Sequence, residues 1–200
     1  FKQKTAYEIM PSLGAGDVYK RQGNISLPPV SKFFVPLPEA KLKERPKHVL
    51  RSKRCYFPKT NEKGIELFMD AVTHGVPGLW ITSTPPEILR KRWKLFATPI
   101  LWITQRKSQE EVTAKPSEPE RIIKIVKNYF LSGIPKAVVL MDCLQDLVLV
   151  NGYQKSIKML NGLLKVCSGN NAVLIVSPNE LSSKDVEKLK KEVRGRVSRL

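Results

Sequence analysis

The chain is poor in the residues that build metal centres and disulfide frameworks. Its 200 residues include three cysteines and two histidines, and no CxxC pair occurs. Disulfide-bonded domains need an even set of cysteines, and zinc sites need closely spaced ligand pairs, so the sequence favours neither class. We therefore expect an intracellular protein with no bound metal.

Long apolar runs are also missing. No segment approaches the roughly 20 apolar residues that a membrane-spanning helix needs, and the first residues lack the apolar core of a signal peptide. We expect a cytoplasmic location. Any membrane attachment would then come from a covalently linked segment outside this sequence.

Acidic residues are scarce relative to basic ones. The chain has 35 Lys and Arg against 18 Asp and Glu, a formal net charge of +17. Such charge attracts polyanions when it is concentrated on one face, but here it is spread along the whole chain. Because no nucleic-acid-binding motif accompanies it, we expect a dispersed basic surface, with nucleic-acid association as an alternative.

The composition divides the chain into three parts. Within residues 1–22, the string DVYKRQ resembles the translated end of a sequencing-library adapter, so we expect an artefact or a disordered terminus there. Residues 23–53 carry five prolines and frequent lysines without a regular period, which is typical of a linker or tail. We expect residues 54–200 to form an α/β domain.

Short apolar runs alternate with helical patterns throughout this domain. Continuous apolar runs are typical of strands buried on both faces, and their alternation with helices predicts right-handed βαβ units. The expected fold is a three-layer α/β/α domain with a mostly parallel sheet of about five strands. The predicted strands are 54–57, 78–82, 99–104, 136–142 and 171–176.

Several predictions concern the ends of elements. Thr84 before two prolines and Glu87 predicts a helix N-cap, and Ser182 with Asp185 three residues later predicts another. We expect a charged loop over 108–119, and a last helix whose apolar stripe extends to Val197.

Parallel sheets bind ligands beyond the carboxyl ends of their strands, so the residues there are the candidate site. Asp142 ends the apolar string VVLMD and has two interpretations. It resembles the acidic residue that holds Mg²⁺ in the Walker B element of RecA-type ATPases. It also fits a helix N-cap paired with Gln145, which we favour.

The surrounding strings extend that resemblance. GLWITSTPPEILRKRW and the segment from VVLMD to VLIVS are similar to parts of KaiC-type and other RecA-like ATPases. Those enzymes also need a glycine-rich loop with a lysine and a carboxylate that orients water. Here PKTNEKG offers Lys59 and Lys63 without GK[ST], and Ser83 and Thr84 stand where the glutamates would fall. We therefore expect no enzymatic activity and no cofactor.

A second resemblance covers residues 54 to about 194. The strings THGVPGLWITSTPPE and DCLQDLVLVNG look like an archaeal family, the domain of unknown function 835. The resemblance implies an α/β domain that is often joined to sensory or membrane segments. The family has no established catalytic residues, so none is transferred.

Three functions follow as hypotheses. The first is a protein-interaction or signal-relay module whose partner is a protein or a linked sensory segment. The alternative is a nucleotide- or anion-binding domain at the strand carboxyl ends, and the third is nucleic-acid association through the basic surface. The alternative site would use Asp142, Ser83, Thr84, Lys59 and Lys63.

Two residue types with reactive chemistry receive structural interpretations. Cys143 follows Asp142 at a strand end, where a helix N-terminus can activate a thiol, but we expect it to pack in the core. His74 beside Gly75 is expected to satisfy the last carbonyls of a helix. Trp80 and Trp102 lie within predicted strands and are expected to be core residues.

Overall fold

The structure of the protein is a computed structural model. The structure describes residues 45–198, apart from 96, 107, 109–110, 132, 135, 179–180 and 194–196. The predictions for residues 1–22 and for most of the segment 23–53 lie outside the described residues.

A single parallel sheet forms the centre of the described chain. Its strands follow the order β4-β3-β2-β5-β6-β1-β7, and every neighbouring pair is parallel. The strands are β1 Cys55–Tyr56, β2 Gly78–Thr82, β3 Ile100–Ile103, β4 Val112–Ala114, β5 Val138–Met141, β6 Val173–Val176 and β7 Val197–Ser198.

Helices cover both faces of the sheet. The first two contribute apolar side chains to the core on one face, and the other four contribute to the core on the opposite face. The helices are α1 Asn61–Thr73, α2 Pro86–Trp93, α3 Pro119–Leu131, α4 Leu144–Asn151, α5 Tyr153–Gly169 and α6 Ser183–Glu192. The predicted α/β fold with helices on both faces is confirmed.

The central strands are buried at every position because both of their faces are covered. All five residues of β2 are buried, and alternate residues of β5 enter opposite cores. On the α1 side, Trp80 is fully buried and meets Phe68 edge to face, with ring centroids 5.4 Å apart. This pair joins the middle of the sheet to α1.

Two predictions at the edges of the sheet are wrong. The predicted charged loop over 108–119 contains β4, in which Val112 pairs with Leu101 of β3. The predicted last helix ends at Glu192, and Val197 lies in β7 beside Cys55 of β1. Strands of two or three residues carry too little periodicity to be recognised, and they form because the neighbouring strand offers unpaired backbone groups.

Two predicted helix caps also differ from the structure. Pro85, not Thr84, flanks α2, and the Thr84 N–H donates to Oγ1 of Thr82 at 3.0 Å. Cys143, not Asp142, flanks α4, because the Asp142 carboxylate turns toward β2. The third prediction is confirmed, since Ser182 Oγ accepts from the Asp185 N–H at 3.2 Å.

The segment just before β1 lies along α1. The N–H groups of Lys47 and His48 donate to the two carboxylate oxygens of Asp70, at 3.2 and 2.7 Å. Leu50 packs against the core on the same face. The domain boundary at residue 54 stays a prediction.

Among the described residues, the helices are too short or too polar for any of them to cross a bilayer.

Candidate functional site at the carboxyl edge of the sheet

The order of the strands contains two points at which the helices that follow neighbouring strands cover opposite faces of the sheet. Strands β2 and β5 are neighbours, but the helices that follow them, α2 and α4, cover opposite faces. The same holds for the neighbours β1 and β6, followed by α1 and α6. Ligands of open α/β sheets bind at such points, beyond the carboxyl ends of the strands, and the candidate residues are expected at this edge.

Asp142 follows β5 and is held inside this edge. The residue is 6% exposed, and its Oδ2 accepts a hydrogen bond of 2.9 Å from Nε1 of Trp80. Burial raises the pKa of this carboxyl to about 6, although hydrogen bonds with Thr82 and Trp80 lower it in part. Both partners belong to β2, so the carboxylate ties the two central strands together.

Ser83, which follows β2, also forms hydrogen bonds within the protein. Ser83 Oγ donates to Oδ2 of Asp146 in α4 at 2.5 Å, and the Ser83 carbonyl accepts from Nε1 of Trp102 at 3.2 Å. The loop after β2 is therefore bonded to α4 on one side and to β3 on the other. Ser83 and Thr84 follow β2 at the edge of the sheet where Asp142 follows the neighbouring strand β5.

The start of α1 does not form a phosphate cradle. The Lys63 N–H donates to Thr60 Oγ1, and the Gly64 N–H donates to the Thr60 carbonyl, both at 3.2 Å. A Cβ atom on Gly64 would overlap Ser177 Oγ and would lie 3.1 Å from Pro58 Cγ. The start of the helix therefore packs directly against Ser177 and Pro58. A phosphate cradle would instead leave space for an anion there.

The two candidate lysines lie apart from Asp142. The Lys63 ammonium donates to Glu66 at 2.9 Å and lies 3.2 Å from His48 Nε2. The hydrogen bonds from His48 and Lys63 lower the pKa of Glu66 to about 2. Strand β6 lies between β1, which precedes both lysines, and β5, which precedes Asp142, so these two strands are about 10 Å apart at the usual strand spacing.

Helix α4 presents apolar side chains on both sides. Leu144 and Leu147 are fully buried, whereas Leu149 is 75% exposed and Val150 is 53% exposed. The sequence analysis did not single out these two residues. The available signal was the string LVLV, because four consecutive apolar residues point to all sides of a helix and cannot all face the core.

The reactive residue types have structural roles. Cys143 is fully buried, and its Sγ lies 3.7 Å from the Ile81 carbonyl oxygen. Burial and the nearby Asp142 raise the pKa of its thiol well above the usual value, so the expectation that it packs is confirmed. His74 Nδ1 lies 2.6 Å from the Asp70 carbonyl near the end of α1, as expected. In the described part of the chain, no three His, Cys, Asp or Glu side chains gather as metal ligands do.

Comparison with known proteins gives one family. The model of the family described as "Protein of unknown function (DUF835)" matches residues 58–193. No curated protein matches the chain. A solved structure from Pyrococcus horikoshii OT3, titled as a structural study of project PH0250, is similar with a TM-score of 0.47 and 12% identity. That similarity covers 72% of this chain and 78% of the other.

Proposed function

The chain belongs to the DUF835 family of proteins of unknown function, and from that premise we propose that it is a non-catalytic protein-interaction module. The observation that carries the proposal is how the side chains at the carboxyl edge are bonded and exposed. Its polar side chains bond to one another and to α4, and α4 exposes two adjacent apolar side chains to solvent. Attachment to a sensory segment, as a relay, belongs to the same proposal.

The proposal assigns the candidate polar residues a positioning role. Asp142 joins β5 to β2, and Ser83 joins the end of β2 to Asp146 of α4. Asn151 Nδ2, at the other end of α4, donates to the Pro116 carbonyl at 2.7 Å. Helix α4 is thereby fixed at both ends, which favours binding because a rigid surface loses little entropy on association.

The partner we propose is a protein segment with an apolar anchor flanked by acidic residues. Leu149 and Val150 supply an apolar contact on α4, and Lys155 is exposed shortly after them in α5. The net charge of +17 attracts acidic partners and repels a second copy of this chain. Electrostatic complementarity of this kind selects the partner, while apolar burial supplies most of the affinity.

Nucleotide binding at the strand ends is the less supported function. It would draw on the buried Asp142 carboxylate, whose Oδ2 already accepts from Trp80, and on N–H groups at the start of α1 that already have partners at Thr60. Descent from a RecA-like ATPase is a further proposal, which rests on the apolar strand that ends in Asp142. The carboxyl edge would then be the remnant of an ATPase site whose polar residues now stabilise the fold.

A peptide-selection experiment tests the interaction module. Displayed random peptides are selected on the full chain after removal of those that bind the double variant Leu149→Ser/Val150→Ser. We expect the enriched peptides to share acidic residues around one apolar side chain. Their affinity should fall more than tenfold in the double variant, because two apolar contacts of about 1.5 kcal/mol or more are lost.

Leu131→Ser provides the matched control. Leu131 is 64% exposed at the end of α3, and it is a single apolar residue in place of an adjacent pair. Binding of the selected peptides should be unchanged in this variant. Selection that yields no peptide able to distinguish the chain from the double variant would contradict the proposal.

A further inference from the structure

A second surface feature lies away from the carboxyl edge, along α5. An open cavity of about 720 Å³ is bounded by one face of α5 and by Lys53, which precedes β1. The volume lies within the range of small-molecule sites. Its polar lining consists of Lys53, Lys158, Lys165, Asn161 and Ser168.

The lining residues carry charge of one sign. Lys158 and Lys165 are seven residues apart, so they lie on one side of α5 and two turns apart along it. Within the described chain, no acidic residue lines the cavity and no carboxylate forms an ion pair with Lys53, Lys158 or Lys165. Three ammonium groups therefore face one cavity without an internal counter-charge.

Ser168 gives an independent indication of a ligand. It is 8% exposed, and its Oγ has no hydrogen-bond partner among the described residues. A serine in a helix usually satisfies its hydroxyl with a carbonyl of the preceding turn, and a buried hydroxyl left without a partner is unfavourable. Ser168 lines the cavity, so rotation of its side chain toward the cavity would allow a ligand with acceptor oxygens to supply the missing partner.

The end of α5 does not cancel the positive charge. A helix C-terminus carries the equivalent of about half a negative charge, against three ammonium groups here. The last carbonyls of α5 already accept hydrogen bonds, because the Cys167 carbonyl receives the N–H groups of Asn170 and Ala172 at 3.1 and 2.8 Å. The Val166 carbonyl receives the Asn170 side-chain amide at 2.8 Å.

The backbone at Lys53 is held in an unfavourable conformation that places this residue at the cavity. Its φ of 64° lies in the left-handed region, which residues with a Cβ atom rarely adopt. The Lys53 N–H donates to the Ala172 carbonyl at 2.9 Å and fixes the turn against the start of β6. A lysine is therefore present where glycine would be easier to accommodate.

From these observations we propose that the cavity binds a small phosphorylated ligand. Lysine ammonium groups are strong donors to phosphate oxygens, and the Ser168 hydroxyl adds a neutral donor at the wall. A concave site of this volume suits a small molecule better than an extended nucleic-acid strand. The site is separate from α4 and does not depend on the proposed interaction module.

Calorimetric titration of the full chain with pyrophosphate tests this site. We expect binding that weakens about tenfold in Lys158→Gln and again in Lys165→Gln, because each variant removes one charge-assisted contact. Lys91→Gln, on the exposed surface of α2, should change the affinity less than twofold. No binding at millimolar pyrophosphate, or an equal loss in Lys91→Gln, would overturn the proposal.

Ser168→Ala distinguishes a ligand contact from a structural role. Without ligand, its melting temperature should equal or exceed that of the parent chain, because a buried hydroxyl without a partner has been removed. Its affinity for pyrophosphate should nevertheless fall several-fold. Unchanged affinity, or a lower melting temperature without ligand, would show that Ser168 serves packing and not the ligand.

A short single-stranded oligonucleotide separates the two sources of phosphate. If it binds, we expect that Lys91→Gln and Lys158→Gln weaken it equally, since diffuse charge attracts nucleic acid without a pocket. An oligonucleotide that binds more tightly than pyrophosphate and depends on Lys158 and Lys165 alone would contradict the small-ligand proposal.

Discussion

The indole Nε1 of Trp80 donates a hydrogen bond of 2.9 Å to Oδ2 of Asp142, across two neighbouring central strands. The pair gives a buried carboxylate a partner, and it gives the largest fully buried side chain of the described core a partner for its N–H. Because both groups are inside the protein, loss of the carboxylate would leave the indole N–H unsatisfied. Asp142 is thus a structural link between β2 and β5.

Replacement of Asp142 by Asn should change the pH dependence of stability. The folded protein raises the carboxyl pKa from 3.8 to about 6, so it binds the proton more tightly than the unfolded chain does. Stability should therefore fall by up to about 3 kcal/mol as the pH rises from about 4 to about 6, and this contribution should be constant above that. Asp142→Asn should lack this component.

Urea unfolding at several pH values measures the difference. The free energies of unfolding of the parent chain and of Asp142→Asn should diverge between about pH 4 and about pH 6, with the variant the more stable at neutral pH. Other groups, including Glu66, titrate in both proteins and cancel in the comparison. Parallel curves would show that Asp142 does not titrate in this range.

Gly64→Ala should destabilise the protein although alanine favours helices. A Cβ atom at this position would overlap Ser177 Oγ, and Ser177 is fully buried. Steric strain of about 1–3 kcal/mol should exceed the gain in helix propensity of about 1 kcal/mol. Thermal unfolding should show the loss, and the added change Ser177→Ala should restore much of it.

Gly169→Ala is the matched control for that substitution. Gly169 is also helical, and an added Cβ would meet no atom within 4 Å. Its stability should be unchanged or higher. If Gly64→Ala were as stable as Gly169→Ala, the result would contradict the close packing of α1 against Ser177.

The three cysteines should resist alkylation in the folded protein. Cys55, Cys143 and Cys167 are all buried, and burial raises the pKa of the Cys167 thiol to about 12. The pKa values of the other two are raised as well, so little thiolate is present near neutral pH. Mass spectrometry after iodoacetamide treatment should find no adduct until urea unfolds the chain. Rapid labelling of Cys143 would instead indicate an accessible, activated thiol.

The predicted and observed structures agree best where a pattern is local and long. The strand GLWIT is found with its predicted bounds, because a five-residue apolar run buried on both faces has no competing interpretation. Strands β4 and β7 were missed, since each lies at an edge of the sheet and depends on a neighbour that is distant in sequence.

The position of the candidate residues in the fold could be predicted from the sequence, but the contacts of Asp142 could not. Strand alternation is enough to locate Asp142, Ser83 and Thr84 at the carboxyl edge. The partner of Asp142 is 62 residues away in the chain, so a local pattern suggested a helix cap where the structure has a link between strands. The lysine-lined cavity also joins residues far apart in sequence, and no local pattern indicates it.

The most direct test of the structural role of the carboxyl edge is thermal unfolding with excess Mg²⁺-ATP. It should be carried out in the Lys158→Gln/Lys165→Gln background, so that the α5 cavity does not contribute. We predict that Mg²⁺-ATP leaves the melting temperature unchanged in this background. The same should hold after the further change Asp142→Asn. A nucleotide at about 100 times its dissociation constant would add about 2.7 kcal/mol, or several degrees. Such a rise, lost in Asp142→Asn, would contradict the account and identify a working nucleotide site.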